Sequence, residues 1–365
     1  MNVIIIVEPG MSQVVLWAYS RQGTEVVARS RTEDFERLRE PGRLREALTL
    51  LTGTSRIEAV AFRLLFGRDL FEKPARVNAA FFRKFTQLVE YYPFYIPTAC
   101  ELLKLFVTCC PAVPMTAFFE TAFFAGLPDH QRYYALPSAY YEKAGIRKWG
   151  FHGITHEGAA AIAGTDRRTV SVVIDRQTTV CSMRDGKPMT ISLGCTSLEG
   201  VMGRNFCGDL DPGIVFYLMK RYKMSLYKLD QVFKQESGFL GMTGYDLSMA
   251  EFAGLYGKDE KVDLAFSVYQ NQILKYIGEG IAEMGGVDAL VFSGSNLGAF
   301  SAVVYTLVKK LSFLGISLVC LPWEQDRPVF TISSEDSPVQ VYLNSRPVSS
   351  FLYQRMRAMS GRPQA

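Results

Sequence analysis

The first part of the chain contains short apolar runs of strand length, separated by turn residues, and a longer stretch with helical spacing. The runs that we predict as strands are Val3–Val7, Val14–Tyr19, Ala59–Leu65 and Ala117–Phe119. Pro9-Gly10 separates the first two runs, which predicts a hairpin. Phe81–Glu90 has apolar residues at helical spacing and is predicted as a helix that ends before Pro93.

Three further strand-like runs follow in the second half of the chain. Val170–Ile174, Val180–Arg184 and Met189–Ser192 predict a meander of neighbouring strands. Asp185-Gly186 lies between the last two runs, and Asp-Gly is a favoured two-residue turn because both positions tolerate positive φ. We therefore expect an antiparallel sheet segment here.

Helices are predicted on both sides of this meander. Thr155–Ala163 is predicted as a helix whose first free N–H groups are capped by the Thr155 hydroxyl. Leu264–Met284 has apolar residues at helical spacing and ends at a pair of glycines. A buried strand, Ala289–Phe292, then leads through the glycine-containing turn Ser293–Gly298 into another helix. The order strand, turn, helix is typical of folds that bind nucleotides.

A strand that leads into a turn begins each half of the chain, which predicts two related lobes around a shared nucleotide cleft. In such folds the turn offers bare backbone N–H groups to phosphate oxygens. Here the first turn carries Glu8 and the second carries Asp175. Because carboxylates repel phosphate, the sequence predicts the scaffold of a cleft with two impaired phosphate cradles.

Composition and charge narrow the class of protein. A chain of 365 residues is long enough for two domains with sizeable cores. Hydrophobic residues make up 48% and charged residues 21%, which is ordinary for a folded globular protein. The net charge of +4 is small for this length, and the Lys and Arg are scattered. These values argue against a nucleic-acid partner and against a basic membrane patch.

The cysteines and the apolar runs predict a cytoplasmic protein. The seven cysteines form no CxxC pair and are predicted as buried free thiols: Cys100, Cys109, Cys110, Cys181, Cys195, Cys207 and Cys320. The longest apolar stretch, Leu102–Phe119, contains one lysine and two prolines and is too short to span a membrane. The N-terminal apolar run has no basic region before it, so we expect no signal peptide.

Several segments together resemble the acetate kinase (acetokinase) family. Tyr134–Gly153 is similar to the family signature YALP…YYEK.GIRRYGFHG. Ser197–Met202 with Gly208–Pro212 is similar to a second signature, TPLEGLMM…GDIDP. Met284–Gly294 resembles the approach to the family's adenosine loop, and Leu311–Ile316 also fits. The order and approximate spacing of the segments match from residue 1 to about 350, which is nearly the whole chain.

The resemblance implies an α/β fold with two actin-like lobes, also called the ribonuclease-H-like or ASKHA fold. The implied lobes are residues 1–125 with about 349–365, and residues 126–348, which include the nucleotide-side loop. It also implies a homodimer that uses Mg²⁺ to transfer the γ-phosphate of ATP to acetate or another short carboxylate. Phosphoryl transfer depends on positioned donors and a metal, so the site residues decide whether this activity persists.

Three residues match catalytic positions of the family. Arg63 aligns with an arginine that binds carboxylate or phosphate, which a guanidinium does through two parallel hydrogen bonds. Glu120 aligns with a catalytic aspartate and is the candidate metal ligand, but its extra methylene moves the carboxylate by roughly 1 Å. His152 aligns with a histidine that contacts the transferring phosphoryl group. The alternatives are a surface arginine, a vestigial or structural glutamate and a structural histidine.

The resemblance also implies a set of nucleotide-side residues. They are Ser12, Asp246, Gly294, Ser295, Asn296 and Gly298. The loop that contains the last four has lost part of the family's glycine-rich sequence, but adenine or ribose has room to rest on it. The alternative is a plain turn between a strand and a helix.

Other donors of the family are replaced in this chain. The replacements are Glu8 or Val7 for an asparagine, Val15 for a lysine, Phe62 and Phe66 for two histidines, Asp175–Gln177 for the glycine-containing part of the phosphate loop, Phe206 for an arginine, and Asn344–Val348 for the run with a metal-associated glutamate. Each lost charged contact of this kind is worth about 3–4 kcal/mol in the transition state, although such losses are not additive.

The sequence therefore predicts an acetate kinase-like protein that has lost most or all phosphotransfer and keeps a structural, binding or regulatory role. The alternative is an active ATP- and Mg²⁺-dependent kinase that forms an acyl phosphate from acetate or another short carboxylate. A ligand sensor without turnover is a third class, which the sequence does not separate from the first.

Overall fold

The computed structural model describes residues 2–10, 12–22, 25–319 and 327–360. The chain divides into two compact units. Unit 1 comprises Met1–Ala125 with Val348–Ala365, and unit 2 comprises Gly126–Pro347. Each unit contains one six-stranded sheet and its own apolar core. None of the helices in the described residues is long and apolar enough to cross a membrane.

The described residues form twelve strands and fourteen α-helices. The strands are β1 (Asn2–Pro9), β2 (Gln13–Gln22), β3 (Glu25–Asp34), β4 (Arg56–Leu64), β5 (Ala75–Arg76), β6 (Met115–Phe119), β7 (Thr169–Val173), β8 (Thr179–Arg184), β9 (Lys187–Ile191), β10 (Ala289–Ser293), β11 (Val329–Thr331) and β12 (Gln340–Asn344). The α-helices are α1 (Phe35–Leu38), α2 (Arg43–Thr52), α3 (Ala79–Phe85), α4 (Ile96–Cys109), α5 (Asp129–Arg132), α6 (Ala139–Ala144), α7 (Gly153–Ala163), α8 (Pro212–Tyr222), α9 (Leu226–Gln235), α10 (Gly238–Thr243), α11 (Met249–Leu255), α12 (Glu260–Met284), α13 (Ser301–Lys310) and α14 (Val348–Ser360).

The two sheets share one strand order, which follows from the same sequence plan in each unit. The sheet of unit 1 has the order β3-β2-β1-β4-β6-β5, and that of unit 2 has β9-β8-β7-β10-β12-β11. In each sheet the first strand pairs antiparallel with the second and parallel with the fourth. The central parts of β1, β4, β7 and β10 are largely apolar and buried, as in sheets that are covered on both faces. Their carboxyl ends meet at one edge, where ligands bind in open α/β sheets.

Most of the predicted elements are confirmed. The first hairpin forms with Val7 opposite Leu16. The meander forms as β7, β8 and β9, and its turn residues Asp185 and Gly186 have φ values of 53° and 68°. The long helix α12 ends at Gly285, which has a φ of 67° and therefore suits glycine.

Some local predictions are wrong. Thr155 does not cap a helix, because α7 begins at Gly153 and His152 is its N-cap residue. The carbonyl of His152 already accepts from the N–H of His156 at 2.9 Å, so the first helical turn starts before Thr155. The stretch predicted as one helix over 81–90 is α3 followed by a 3₁₀ turn, Thr86–Glu90.

The cysteines differ partly from the prediction of buried thiols. All six cysteines in the described residues are free. Cys100 and Cys181 are buried, but the other four are only partly buried: Cys109, Cys110, Cys195 and Cys207. Cys320 lies outside the described residues.

Candidate functional site

Three charged residues meet at the carboxyl edge of the parallel strands in unit 1. Glu8 is near the end of β1, Arg63 is near the end of β4 and Glu120 directly follows β6. Because β1, β4 and β6 are neighbours in the sheet, these residues are brought together although they are far apart in sequence. The sheet edge thus places both sequence-predicted residues of unit 1, Arg63 and Glu120, beside the turn carboxylate Glu8.

The guanidinium of Arg63 is bound by two carboxylates. Its Nη1 donates to Oε2 of Glu8 at 2.8 Å, and its Nε donates to Oε1 of Glu120. Glu120 is fully buried, and only 17% of the Arg63 side chain is exposed. Burial by itself would lower the pKa of Arg63, but the charges of Glu120 and Glu8 outweigh it and raise that pKa. Arg63 is therefore a buried cation with two internal counter-ions, which contradicts the alternative of a surface arginine.

Two residues close to Arg63 in sequence are phenylalanines at positions where the family resemblance implies histidines. Phe62 is fully buried and lies edge-on to Phe106, with ring centroids 5.2 Å apart. Phe66 stacks on Tyr92 at a centroid distance of 4.0 Å. Phenylalanine rings pack well but donate no hydrogen bond to an anion. Phe62 and Phe66 are therefore packing residues in this chain.

A chain of hydrogen bonds in unit 2 holds His152 and the second histidine of its motif. Nδ1 of His152 lies 3.0 Å from Oγ1 of Thr179, and Nε2 of His156 lies 2.9 Å from the same oxygen. Nδ1 of His156 lies 2.9 Å from Oγ of Ser171. All four residues are buried. His152 has a φ of 60°, a conformation that histidine tolerates better than most residues.

We predict that the stability of the folded protein depends on pH because the imidazole of His156 is buried. Burial lowers the pKa of His156 to about 3, whereas the unfolded chain takes up this proton near pH 6.5. The neutral imidazole makes its full contribution to the unfolding free energy above pH about 6.5. This contribution is lost as the pH falls toward about 3, by up to about 1.4 kcal/mol per pH unit. We expect the unfolding free energy of the wild type, measured in urea, to fall between pH 7 and 5 by about 2 kcal/mol more than that of His156→Gln. Equal pH dependence of the two proteins would contradict this.

The turn after β7 is closed by its own side chains. Oδ1 of Asp175 accepts from the backbone N–H of Arg176 at 2.8 Å. Nε2 of Gln177 donates to the carbonyl of Ser197 at 3.0 Å. An N–H group that a glycine turn would offer to phosphate is thus taken by an internal carboxylate. In both units, therefore, a carboxylate of the chain itself accepts from a donor at the candidate site: Asp175 here, and Glu8 and Glu120 at Arg63.

The candidate nucleotide loop is a strand-to-helix turn between β10 and α13. A Cβ at Gly294 would lie 2.1 Å from the carbonyl oxygen of Ile174, and Gly294 has a φ of 151°. This glycine is therefore required by the close approach of β7, independently of any ligand. Ser295, Asn296 and Gly298 are exposed, which leaves the surface of the turn accessible.

The other candidate nucleotide residues are Asp246 in unit 2 and Ser12 in unit 1. Asp246 is ion-paired with Arg204, whose Nε also donates to the carbonyl of Leu247 at 2.8 Å. Arg204 is thus engaged within unit 2. Ser12 is exposed in the turn between β1 and β2, and its carbonyl accepts from the N–H of Phe35 at 2.8 Å.

Two carboxylates of the second signature, Glu199 and Asp209, form ion pairs beside a cavity of about 750 Å³ in unit 2. Lys148 pairs with Glu199 at 2.9 Å, and Lys275 pairs with Asp209 at 2.8 Å. Burial alone would raise the pKa of Asp209, but hydrogen bonds from Lys275, Tyr276 and a backbone N–H lower it. These contacts tie the signature loop to α12, which gives the motif a structural role.

Sequence reasoning did not identify Thr179 and Ser171 as partners of the histidines. A signal was present, since Ser171 is a lone polar residue within the apolar run of β7. A polar side chain in a buried strand needs a hydrogen-bond partner, and the histidine-containing helix α7 packs on β7. The pairing of Glu8 with Arg63 was likewise not predicted.

The donor set does not fit a metal ion bound at Glu120. The carboxylate of Glu120 is committed to Arg63. Throughout the described residues, no group of three His, Cys, Asp or Glu side chains is arranged to hold a metal. Mg²⁺ is usually bound through one or two carboxylates together with waters and phosphates, so Glu120 would have to share its carboxylate between Arg63 and the metal.

Comparisons with solved structures define the class of this fold. The crystal structure of Porphyromonas gingivalis acetate kinase superposes with a TM-score of 0.86 over 99% of this chain and 100% of that chain, at 22% identity. Entamoeba histolytica acetate kinase gives a TM-score of 0.83 over 98% and 99%, at 20% identity. The protein thus has the actin-like, ribonuclease-H-like (ASKHA) fold that the sequence predicted.

Sequence comparison then gives the family. The acetate kinase of Clostridium novyi (strain NT) is 30% identical over 308 residues, which cover 81% of this chain and 76% of that protein. The profile of the Acetokinase family matches residues 41–345. The chain belongs to the acetokinase family, as its signature segments predicted.

Proposed function

We propose that this acetokinase-family protein has lost phosphotransfer, or keeps it only at a much reduced rate, and has a structural, binding or regulatory role. The proposal is supported by the internal carboxylates that occupy donors needed by an incoming anion. Glu8 and Glu120 bind Arg63, and Asp175 binds the N–H of Arg176. A substrate carboxylate or phosphate therefore meets a competing negative charge at each of these places.

The test is an assay of acyl phosphate formation. The purified protein is incubated with ATP, Mg²⁺ and acetate, and the acyl phosphate is trapped with hydroxylamine beside the C. novyi acetate kinase as reference. We expect a rate at least about a thousandfold below the reference, because removal of even one transition-state donor lowers rates by about 10²–10³-fold. A rate within about tenfold of the reference would overturn the proposal.

The second candidate function is an active kinase for acetate or another short carboxylate. Family membership and the retained Arg63 and His152 favour it. ATP and Mg²⁺ are its cofactors by the same resemblance, with the nucleotide on the side of Asp246 and the loop after β10. Calorimetry with ATP, with and without Mg²⁺, separates the candidates. A kinase needs saturable binding of the Mg²⁺ complex, and a ligand sensor binds nucleotide without turnover.

An apolar surface of unit 2 supports a homodimer. The α8–α9 face consists of the exposed apolar residues Ile214, Phe216, Tyr217, Tyr222, Leu226 and Tyr227. No residue of α8 is buried, although the helix is rich in apolar side chains. A patch of this kind marks an interaction site, and a second copy of the chain is the occupant that the family resemblance implies.

Charged substitutions on the α8–α9 face are expected to separate the copies. Phe216 is 71% exposed and Tyr227 is 82% exposed, so Phe216→Glu with Tyr227→Glu disturbs little within the chain. We expect light scattering after gel filtration to give a dimer for the wild type and a monomer for this variant. Phe94→Glu is the matched control, since Phe94 is equally exposed in unit 1. A wild-type monomer, or a double variant that remains dimeric, would contradict the prediction.

A further inference from the structure

A cavity of about 430 Å³ lies in unit 1, at the β5 edge of the sheet. Residues of the 3₁₀ turn Arg68–Leu70, of β5 and of α3 line it. Two of its lining residues, Phe71 and Phe81, are almost fully buried, and their ring centroids are 5.2 Å apart. Small-molecule sites usually measure about 300–1,000 Å³ and have mostly apolar walls. The cavity therefore has the size and the apolar floor of a ligand site.

Three cations line the same cavity: Lys73, Arg76 and Lys84. All three are exposed, and within the described part of the chain none of them forms an ion pair. Other cations of unit 1 behave differently, since Arg39 and Arg43 each contact two carboxylates. The rim of the cavity thus has positive groups that are not engaged by carboxylates of the described residues.

The other polar lining residues do not neutralise these cations. Asp69 and Glu72 are the two carboxylates of the lining, so three cations against two carboxylates leave a net positive charge. Glu72 is exposed and, among the residues that the structure describes, forms no ion pair with its neighbour Lys73. The side chain of Asn78 accepts from the N–H of Phe81 at 2.9 Å and is thus used as the cap of α3.

We infer that this cavity binds an organic phosphate, with the phosphate group on Lys73, Arg76 and Lys84 and the apolar body on Phe71 and Phe81. A phosphate ester presents three acceptor oxygens, whereas a carboxylate presents only two to the same three cations. The guanidinium fork of Arg76 matches a pair of phosphate oxygens, and the lysines add point charges. The buried rings give an apolar body a place out of water.

The inference goes beyond the proposed function and does not depend on it. The cavity shares no lining residue with the cluster of Glu8, Arg63 and Glu120. Acyl phosphate formation in the kinase assay would overturn the loss of phosphotransfer and leave this cavity as a ligand site. Absence of phosphate ester binding would overturn the ligand site and leave the loss of phosphotransfer as it stands.

The experiment is isothermal titration calorimetry of the full-length protein at pH 7 with phenyl phosphate, inorganic phosphate and benzoate. Phenyl phosphate combines the head group with an apolar body, and the other two probes each lack one feature of it. We expect saturable binding of phenyl phosphate, at least about tenfold tighter than that of inorganic phosphate, because the ring is buried. Benzoate is expected to bind more weakly than phenyl phosphate. Added salt should weaken binding, since the cations are exposed.

Two pairs of variants locate the bound phenyl phosphate. Lys84→Gln removes one cation of the rim, and we expect the affinity to fall by about tenfold. Arg83→Gln is the matched control, since Arg83 is exposed on the same helix but does not line the cavity. Ala80→Phe fills the cavity without a change of charge and is expected to abolish binding. Ala79→Phe is its control, because Ala79 is exposed beside it and does not line the cavity.

The inference is overturned if phenyl phosphate shows no saturable binding up to roughly 10 mM. It is also overturned if Lys84→Gln loses no more affinity than Arg83→Gln, or if Ala80→Phe folds and binds as the wild type does. If Ala80→Phe does not fold, the comparison of Lys84→Gln with Arg83→Gln still decides the question. Binding of benzoate as tight as that of phenyl phosphate would overturn the phosphate as head group.

Discussion

Substitution Arg63→Met is expected to destabilise unit 1 by about 3–5 kcal/mol, because it leaves buried carboxylates without their cation. Glu120 is fully buried and bonds to Arg63, and only 16% of the Glu8 side chain is exposed. Methionine fills a similar volume, so the loss comes mainly from the uncompensated charges. Urea unfolding followed by fluorescence measures the change.

The matched control is Arg39→Met in the same unit. Arg39 also contacts two carboxylates, Glu36 and Glu101, but all three side chains are well exposed. Water screens such pairs, so little change is expected. The double variant Arg63→Met with Glu120→Gln should recover part of the stability, since it removes a buried charge. If Arg63→Met lowers the unfolding free energy no more than Arg39→Met does, the cluster of Arg63, Glu8 and Glu120 is not a buried charge cluster.

Substitution Glu8→Asn is expected to create anion binding at Arg63. The carboxylate of Glu8 accepts a hydrogen bond from Nη1 of Arg63, and the family resemblance implies an asparagine either at this position or at Val7. Removal of the competing charge frees a charge-assisted contact, which corresponds to about 10- to 100-fold in affinity for phosphate or acetate. Isothermal titration calorimetry of wild type and variant with each anion measures the gain.

The control for this gain is Glu36→Asn, which removes one negative charge from an exposed site of the same unit. It is expected to leave the affinity for both anions unchanged, since distant exposed charges are screened. Equal affinities in the wild type and Glu8→Asn would show that Glu8 does not block Arg63. The acyl phosphate assay of Glu8→Asn with Glu120→Asp then asks whether turnover returns with binding.

The local elements were predictable because their signals are local. The turn at Asp185-Gly186 requires two residues with positive φ, and the stop of α12 requires a glycine with positive φ. The prediction that Thr155 caps α7 failed because the start of this helix has no local signal. The start of α7 depends on the left-handed conformation of His152, which the residue types around it do not reveal.

The family and the fold were also predictable, because the signature segments carry their order and spacing in the sequence. The same resemblance singled out Arg63, Glu120 and His152 as site residues. It did not show what these side chains touch. Glu8 and Glu120 are 55 and 57 positions from Arg63, so only the pairing of β1, β4 and β6 brings their charges together.

The sequence by itself therefore determined many of the strands and helices, the family and the replacement of family donors, since each of these depends on residue types at short or fixed spacing. The tertiary structure decided how the remaining donors are used. It placed two carboxylates on Arg63, directed Asp175 to a backbone N–H and linked His152 through Thr179 to His156 and Ser171. Contacts of this kind depend on strand order and burial, which arise only when distant segments pack together.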